Sequence, residues 1–203
     1  MNHRTNEELY HTIRQIKLFA IVSIVGLLGL GFLVIFLDQS TETFEEAARY
    51  RPPAESLDQP PQTDSALIGP PVQGQTVYVP AYSHIYHSDG KPSLLTITLS
   101  VRNTSLQHGI VVDSVRYFDT NGKEVKSYLK KPLKLGPLAT TEFLVERDDT
   151  TGGSGANFLV KWTSDATVSA PVIEAIMIDT NTQQGISFAR SGVVIEELGS
   201  SEK

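Results

Sequence analysis

The chain has 203 residues, with 17 Lys or Arg and 23 Asp or Glu, which gives a formal net charge of −6. This acidic balance argues against nucleic-acid binding, because nucleic-acid-binding proteins present a basic patch or stripe. The sequence contains no cysteine, so disulfides, thiolate nucleophiles, zinc–thiolate sites and iron–sulfur clusters are excluded.

The first predicted element is a helix that spans a lipid bilayer. It begins at Leu18, ends at Leu37 and reads LFAIVSIVGLLGLGFLVIFL, without a charged side chain. At about 1.5 Å per residue, this segment spans roughly 30 Å, the thickness of the hydrocarbon core of a bilayer. A cleaved signal peptide has a shorter apolar region, about 7–15 residues, which ends in small residues. An uncleaved signal anchor at residues 18–37 therefore fits better.

Charged residues on either side of the span predict its orientation. Three basic residues precede it, namely Arg4, Arg14 and Lys17. Four acidic residues follow it closely, namely Asp38, Glu42, Glu45 and Glu46. Basic residues beside a membrane span favour the cytoplasmic side. We therefore expect residues 1–17 to form a cytoplasmic N-terminal segment and the bulk of the chain to be translocated.

Residues 38–75 are predicted to form a linker. Its first part is expected to contain one or two helical turns at residues 44–50. Its second part, residues 51–75, reads RPPAESLDQPPQTDSALIGPPVQGQ and holds three Pro-Pro pairs. Because proline fixes φ and donates no backbone hydrogen bond, this part cannot form a regular ladder. It should be an extended spacer.

The next segment, residues 76–196, is predicted to be an all-β soluble domain. Side chains follow a period of two in three long segments, at residues 95–102, 158–163 and 172–179. Shorter strands are predicted at residues 77–79, 141–146, 186–189 and 193–196, and the Asn121-Gly122 pair predicts a hairpin. Seven to nine short strands with frequent turn signals are typical of an immunoglobulin-like sandwich. The last residues, 197–203, are predicted to be a disordered tail.

One strand of this domain has an inconsistent pattern. In a regular strand Ile110 and Val112 would face one side, whereas Val115 and Tyr117 would face the other. A β-bulge near residues 113–114, or a strand that crosses between sheets, would return all four side chains to the core.

Four sequence blocks resemble a known bacterial family. They are YVPAYSHIYH at residues 78–87, LTITLSVRNTS at 95–105, GGSGANFLVKW at 152–162 and QQGISFARSG at 183–192. Together they are similar to the family catalogued as domain of unknown function 3124, over roughly residues 76–195. The resemblance implies a bacterial envelope protein, hence an inner-membrane location with the C-terminal domain in the periplasm. It brings no activity, substrate or catalytic residue.

Two histidines near the start of the β domain are candidates for a ligand-binding surface. His84 and His87 lie in the sequence SHIYH, and imidazole pairs can bind copper or zinc. Residues three apart point to opposite faces of a strand, which argues against one shared metal ion. A turn would bring the two rings together.

Three tyrosines in the same region are spaced by four, namely Tyr78, Tyr82 and Tyr86. In one continuous strand they would share a face, where they would stack on a sugar or pack against the edge of the sandwich. Pro80 lacks a backbone donor, so this segment is predicted to be an edge strand or a loop-like strand.

A second candidate surface is the glycine-rich segment ERDDTTGGSG at residues 146–155. The carboxylates of Asp148 and Asp149 are the type of ligand that calcium prefers, although the spacing does not match an EF-hand. The glycines are predicted to supply a positive φ, with Ser154 or Asn157 capping the turn through side-chain hydrogen bonds. Ser154 does not match the motif of a nucleophile elbow.

These features favour a non-enzymatic binding or scaffold module that is anchored in the membrane of the bacterial envelope. No catalytic, cofactor-binding or metal-binding residue is assigned. The expected partners are the lipid bilayer and an envelope protein or glycan, and not nucleic acid. Two alternatives stay open, a metal-responsive periplasmic module and an envelope hydrolase.

Overall fold

The computed structural model describes residues 2–53, 69–181 and 185–198. Residues 54–68 of the predicted linker and residues 199–203 of the predicted tail lie outside this part of the chain. The chain divides into two compact units, Met1–Tyr50 and Arg51–Lys203.

The first unit is one long helix, α1 (Asn2–Ala48). Its segment Ile13–Leu37 has a mean hydropathy of 2.8, with none of it buried, and is long and apolar enough to cross a membrane. The helix is continuous through residues 38–48, which the sequence analysis assigned to the linker. The first proline of the chain is Pro52, and a proline disfavours helix in the residue before it, so α1 ends only shortly before that point.

The second unit is an all-β, sandwich-like domain, whose described residues form twelve strands in three sheets. Six strands belong to the largest sheet, namely β1 (Gln73–Pro80), β5 (Ile110–Phe118), β6 (Glu124–Ser127), β7 (Leu133–Leu135), β9 (Asn157–Ser164) and β12 (Val193–Glu197). Four belong to the second sheet, namely β4 (Thr96–Arg102), β8 (Thr140–Val145), β10 (Val172–Asp179) and β11 (Ile186–Ser191). The last two form a hairpin, β2 (His84–His87) and β3 (Lys91–Leu94).

All pairings between these strands are antiparallel. The largest sheet has the order β12-β1-β9-β5-β6, with β7 also pairing with β5, and the second has the order β11-β10-β4-β8. The prediction of an immunoglobulin-like sandwich is confirmed at the level of an all-β sandwich. The prediction of seven to nine strands was too low, because the four strands β2, β3, β6 and β7 have only three or four residues each.

The core of the domain lies between the two larger sheets. From β4, the side chains of Ile97, Leu99 and Val101 are fully buried, and from β9, those of Phe158 and Trp162 are too. The residues that alternate with these are less buried, except Ser100 and Thr163, so the predicted period of two is confirmed over most of each strand.

A bulge in β5 restores the core pattern that the sequence left inconsistent. The register between β5 and β9 shifts between Val112 and Ser114. As a result Val112, Val115 and Tyr117 are all buried in the same core. The carboxylate of Asp113, at the bulge, accepts a hydrogen bond of 3.0 Å from Thr163 Oγ1. Burial raises the pKa of Asp113, and the hydrogen bond partly offsets this rise.

Candidate functional site

The two candidate surfaces predicted from sequence meet at one end of the β domain. Here the glycine loop, residues 149–155 between β8 and β9, contacts the β1–β2 connection. Ser83 donates two hydrogen bonds to the carbonyl oxygen of Gly153, from its backbone nitrogen at 3.1 Å and from Oγ at 3.0 Å. The His84 and His87 segment is therefore joined directly to the loop that contains Asp149 and Ser154.

A third segment, the β5–β6 turn, holds the other side of the glycine loop. Thr120 donates from its backbone nitrogen and from Oγ1 to the carbonyl oxygen of Gly152, at 3.0 and 3.1 Å. Thr120 Oγ1 also accepts a hydrogen bond of 3.0 Å from the backbone nitrogen of Gly155. The turn is the hairpin predicted from Asn121-Gly122, with Gly122 at φ +77°.

The interior of the glycine loop is a tight turn around one carboxylate. Asp149 Oδ1 accepts hydrogen bonds from the backbone nitrogen of Thr151, at 3.1 Å, and from Thr151 Oγ1. Gly153 has a φ of +76°, so the predicted positive φ is confirmed at this glycine. The side chain that bonds the loop backbone on both sides of Gly153 is that of Thr120, which the sequence analysis did not single out.

Tyr117 lies beneath the glycine loop. Its side chain is fully buried, and its hydroxyl has no hydrogen-bond partner among the residues that the structure describes. Burial, followed by the negative charge of Asp149, raises the pKa of Tyr117 above its ordinary value. Its ring packs on Phe158, with the centroids 4.8 Å apart. Gly152 lies so close that an added Cβ would overlap the Tyr117 hydroxyl.

The β2–β3 hairpin adds a histidine–tyrosine pair to this end of the domain, in which His84 is half-buried and Tyr86 is exposed. His84 Nε2 lies 3.1 Å from the Tyr86 hydroxyl, and the two rings meet edge to face, with the centroids 5.1 Å apart. On its other side, His84 Nδ1 lies 3.3 Å from Ser83 Oγ. Tyr86 is 61% exposed, so this pair presents an aromatic surface to solvent.

The remaining candidates make other contacts. Tyr82 packs edge to face on Phe188 of β11, with the centroids 5.9 Å apart. Asp148 is exposed and lies 3.8 Å from the guanidinium of Arg147. Asn157 is the first residue of β9, where it pairs with both β1 and β5.

The expected tyrosine strip is wrong, because the chain between Tyr78 and Tyr86 is not one strand. β1 ends at Pro80, and β2 belongs to a separate two-stranded sheet. The expectation of an edge or loop-like strand at Pro80 holds only locally: β1 lies between β12 and β9, but β12 pairs with β1 no further than Tyr78. Pro80 is accommodated because it is the last residue of β1 and pairs only with β9.

The geometry can be compared with the needs of a metal site and of a serine nucleophile. No group of three or more histidine, aspartate or glutamate side chains in the described residues is arranged to hold a metal ion. Ser83 lies beside His84, as a nucleophile would lie beside its base, but Ser83 is fully buried and its hydroxyl donates to a backbone carbonyl. Such a hydroxyl is not available for attack on a substrate.

Sequence reasoning missed Ser83, Thr120 and the place of Tyr117 beneath the glycine loop, because their partners are distant along the chain. Ser83 is 70 residues from Gly153, and Thr120 is 35 residues from Gly155. The only local signal was the cluster of glycines, which indicates that something approaches the backbone closely but not what approaches it.

Comparison with known proteins identifies one family. A family model described as "Protein of unknown function (DUF3124)" matches residues 74–195. No curated protein matches the chain. A solved structure titled "Crystal Structure of Thermotoga maritima 1070" is similar over 59% of this chain and 92% of its own, at 12% sequence identity and a TM-score of 0.34. A similarity this low carries no argument about fold or function.

Proposed function

The chain belongs to the DUF3124 family, and since that description names no activity, we propose a function from the residues themselves. The protein is a membrane-anchored binding or scaffold module of the bacterial cell envelope. Helix α1 holds it in the inner membrane, and the β domain lies in the periplasm and acts without catalysis.

The observation that carries this proposal is the exposed apolar surface of α1. None of the segment Ile13–Leu37 is buried, although its mean hydropathy is 2.8. Its large apolar side chains are exposed, and those of Phe19, Leu27 and Phe32 are more than two-thirds exposed. An apolar surface of this size is unfavourable in water and favourable in a bilayer.

The periplasmic orientation rests on the charges beside this segment. Arg14 and Lys17 precede the apolar stretch, and acidic residues follow it. Positive charge beside a span stays on the cytoplasmic side, which leaves the β domain outside the cytoplasm.

The binding role rests on the chemistry of the glycine-loop end. The exposed Tyr86 and the half-buried His84 form an aromatic pair there, beside a loop that is fixed by hydrogen bonds. Aromatic side chains on a rigid support are typical of recognition surfaces. The metal-responsive and hydrolase alternatives gain no specific observation from the described residues and are not carried further.

Anchoring and orientation can be tested with single cysteines, since the natural chain has none. We would place one in the β4–β5 loop, Gln107→Cys, and one before the apolar segment, His11→Cys; both positions are exposed. A maleimide that cannot cross the inner membrane should label Gln107→Cys in intact cells and His11→Cys only after lysis. The reverse pattern would overturn the orientation, and recovery of the full chain in the soluble fraction would overturn the anchor.

The binding role can be tested with a photo-crosslinking residue in place of Tyr86. The matched control is the same residue in place of Leu106, which is 77% exposed in the β4–β5 loop, at the opposite end of β5 from the glycine loop. One defined envelope protein or glycan should crosslink at position 86 and not at position 106. Equal crosslinking at both positions would exclude a specific surface at the glycine-loop end.

A further inference from the structure

One edge of the largest sheet carries a row of lysines. β6 pairs with the end of β5 and β7 pairs with its beginning. Both strands lie on the side of β5 opposite to β9, so residues 123–135 form one sheet edge. Since β5 has nine residues, this edge is about 30 Å long at about 3.3 Å per residue. Five exposed lysines lie along it, namely Lys123, Lys126, Lys130, Lys131 and Lys134. We call residues 123–135 the lysine edge.

The lysine edge is positively charged within an acidic protein. Its sequence, KEVKSYLKKPLKL, contains five lysines and one glutamate, a net charge of +4, whereas the whole chain has −6. That glutamate, Glu124, lies 3.6 Å from the guanidinium of Arg116 and so is already paired. The ion pairs of the described residues include none of the five lysines.

Aromatic contacts connect one lysine of this edge to the core of the domain. The ammonium group of Lys126 lies 4.5 Å from the centre of the Tyr128 ring. That ring is held in turn by Phe143, at 5.5 Å between centroids, and by Phe158, at 6.1 Å. Lys126 is thus carried by a strand that is attached to the core through Tyr128, while Lys130 and Lys131 lie in the connection between β6 and β7.

We propose that the lysine edge binds the phosphate headgroups of anionic phospholipids at the membrane surface. This inference rests on the proposed function, because a membrane anchor keeps the domain near a bilayer at a high effective concentration. Each lysine near an anionic surface contributes roughly a fivefold change in affinity at low salt, which is too little for one residue but adequate for five.

A bilayer suits this edge better than a soluble polyanion does. The rest of the chain is strongly acidic, so a polyanion that wraps around the domain would meet repulsion beyond the lysines. A flat bilayer, in contrast, would contact the lysine edge without contacting the acidic remainder of the domain. Attraction of this kind is screened by salt, with a Debye length of about 8 Å at physiological ionic strength.

The experiment uses the full chain in lipid nanodiscs with a donor dye on a single introduced cysteine. Ser127→Cys places the dye on β6, and Ser187→Cys places the control dye on β11 of the other sheet; both positions are exposed. Acceptor dyes are attached to lipid headgroups. With the dye on β6, energy transfer should be higher in discs that contain phosphatidylglycerol than in discs of phosphatidylcholine alone. The increase should be larger than for the dye on β11 and should vanish at high salt.

Charge variants then identify the residues responsible. Replacing all five lysines with glutamine should abolish the increase, and the double variant Lys130→Gln/Lys131→Gln should reduce it. The matched control, Lys91→Gln/Lys161→Gln, removes two exposed lysines outside the edge and should keep the increase. Thermal melts confirm that each variant is folded.

The outcomes separate the two proposals. A chain that co-elutes with nanodiscs but shows equal transfer with both lipids overturns lipid binding and leaves the anchor standing. A chain that does not co-elute overturns the anchor on which the inference rests. Inorganic polyphosphate, added at equal phosphate concentration, should not reverse the increase. Complete reversal would assign the edge to a soluble polyanion and overturn the lipid assignment.

Discussion

Gly152 and Gly153 are adjacent, but the fold requires glycine at each for a different reason. At Gly153 the main reason is conformational, since its φ of +76° is unfavourable for residues with a Cβ, and an added Cβ would also lie 2.5 Å from Thr120 Oγ1. At Gly152 the reason is space, because a Cβ would overlap the Tyr117 hydroxyl and would lie 2.7 Å from the Ala156 Cβ. Neither atom can move freely, as both residues are buried.

We predict that Gly152→Ala destabilises the domain by about 1–3 kcal/mol through overpacking. The matched control is Gly155→Ala, where the nearest atom to an added Cβ is the Thr120 methyl group at 3.1 Å and φ is not in the left-handed region. A small shift of an exposed side chain relieves that contact, so the cost should stay below about 1 kcal/mol. Urea denaturation gives both values. Equal midpoints for the two variants would contradict the predicted overlap at Gly152.

Tyr117→Phe should make the protein more resistant to alkali. The folded-state pKa of Tyr117 is raised above its ordinary value of about 10. Above that pH the unfolded chain releases the phenolic proton while the folded chain keeps it, so this residue lowers stability as pH rises. Tyr117→Phe has no phenolic proton, so its stability does not fall for this reason as pH rises. At neutral pH its stability should be unchanged or higher by about 1 kcal/mol, because a buried hydroxyl without a described partner is removed.

The measurement is a pair of urea denaturation series at neutral pH and above about pH 10, for the natural chain and for Tyr117→Phe. Subtraction of the two series removes the contribution of the other tyrosines. A variant that is strongly destabilised at neutral pH would show that the hydroxyl makes a favourable interaction in the folded protein.

At the scale of elements, sequence predicted the long strands best. β4 and β9 each have seven or eight residues with one buried face, which is enough for a period of two to be recognised. The irregularity of β5 was also predictable, because Val112 and Val115 could reach the same core only through a bulge or a crossing between sheets. The register shift between β5 and β9 shows that it is a bulge.

The short strands and the break after β1 could not be predicted in the same way. β6 is exposed along its whole length, so its residues have no apolar period. The tyrosine spacing was misleading because the strand is interrupted at residues 81–83, where the backbone nitrogen of Ala81 donates to Ala156 and that of Ser83 donates to Gly153. Such contacts depend on tertiary neighbours, which a local pattern does not contain.

The candidate site was predictable only in part for the same reason. Sequence placed a positive φ among the glycines, and Gly153 has one. The junction between this loop and His84 passes through Ser83, which packs where two distant segments meet. Its role depends on how β1 and β9 pair, and that pairing is set by the whole sheet rather than by neighbouring residues.

At the scale of the whole molecule, apolar side chains are exposed in one unit and buried in the other. In α1 the apolar side chains are exposed along the segment Ile13–Leu37. Among the described residues, the buried core of the β unit extends from Val77 to Met177. Because hydrophobic burial is the main favourable term in folding, the β unit contains its own source of stability.

We therefore predict that the chain cut to residues 69–203 folds without α1. Its free energy of unfolding in urea should match that of the β unit in the detergent-solubilised full chain to within about 1 kcal/mol, because no core residue is lost.

The matched control is a chain cut to residues 84–203, which removes β1 from between β12 and β9. It deletes the buried side chains of Val77 and Val79 and leaves the backbone of two strands unpaired, so it should not fold. Cooperative unfolding of the shorter chain, or its absence in the longer one, would show that the limits of the folding unit differ from those of the core.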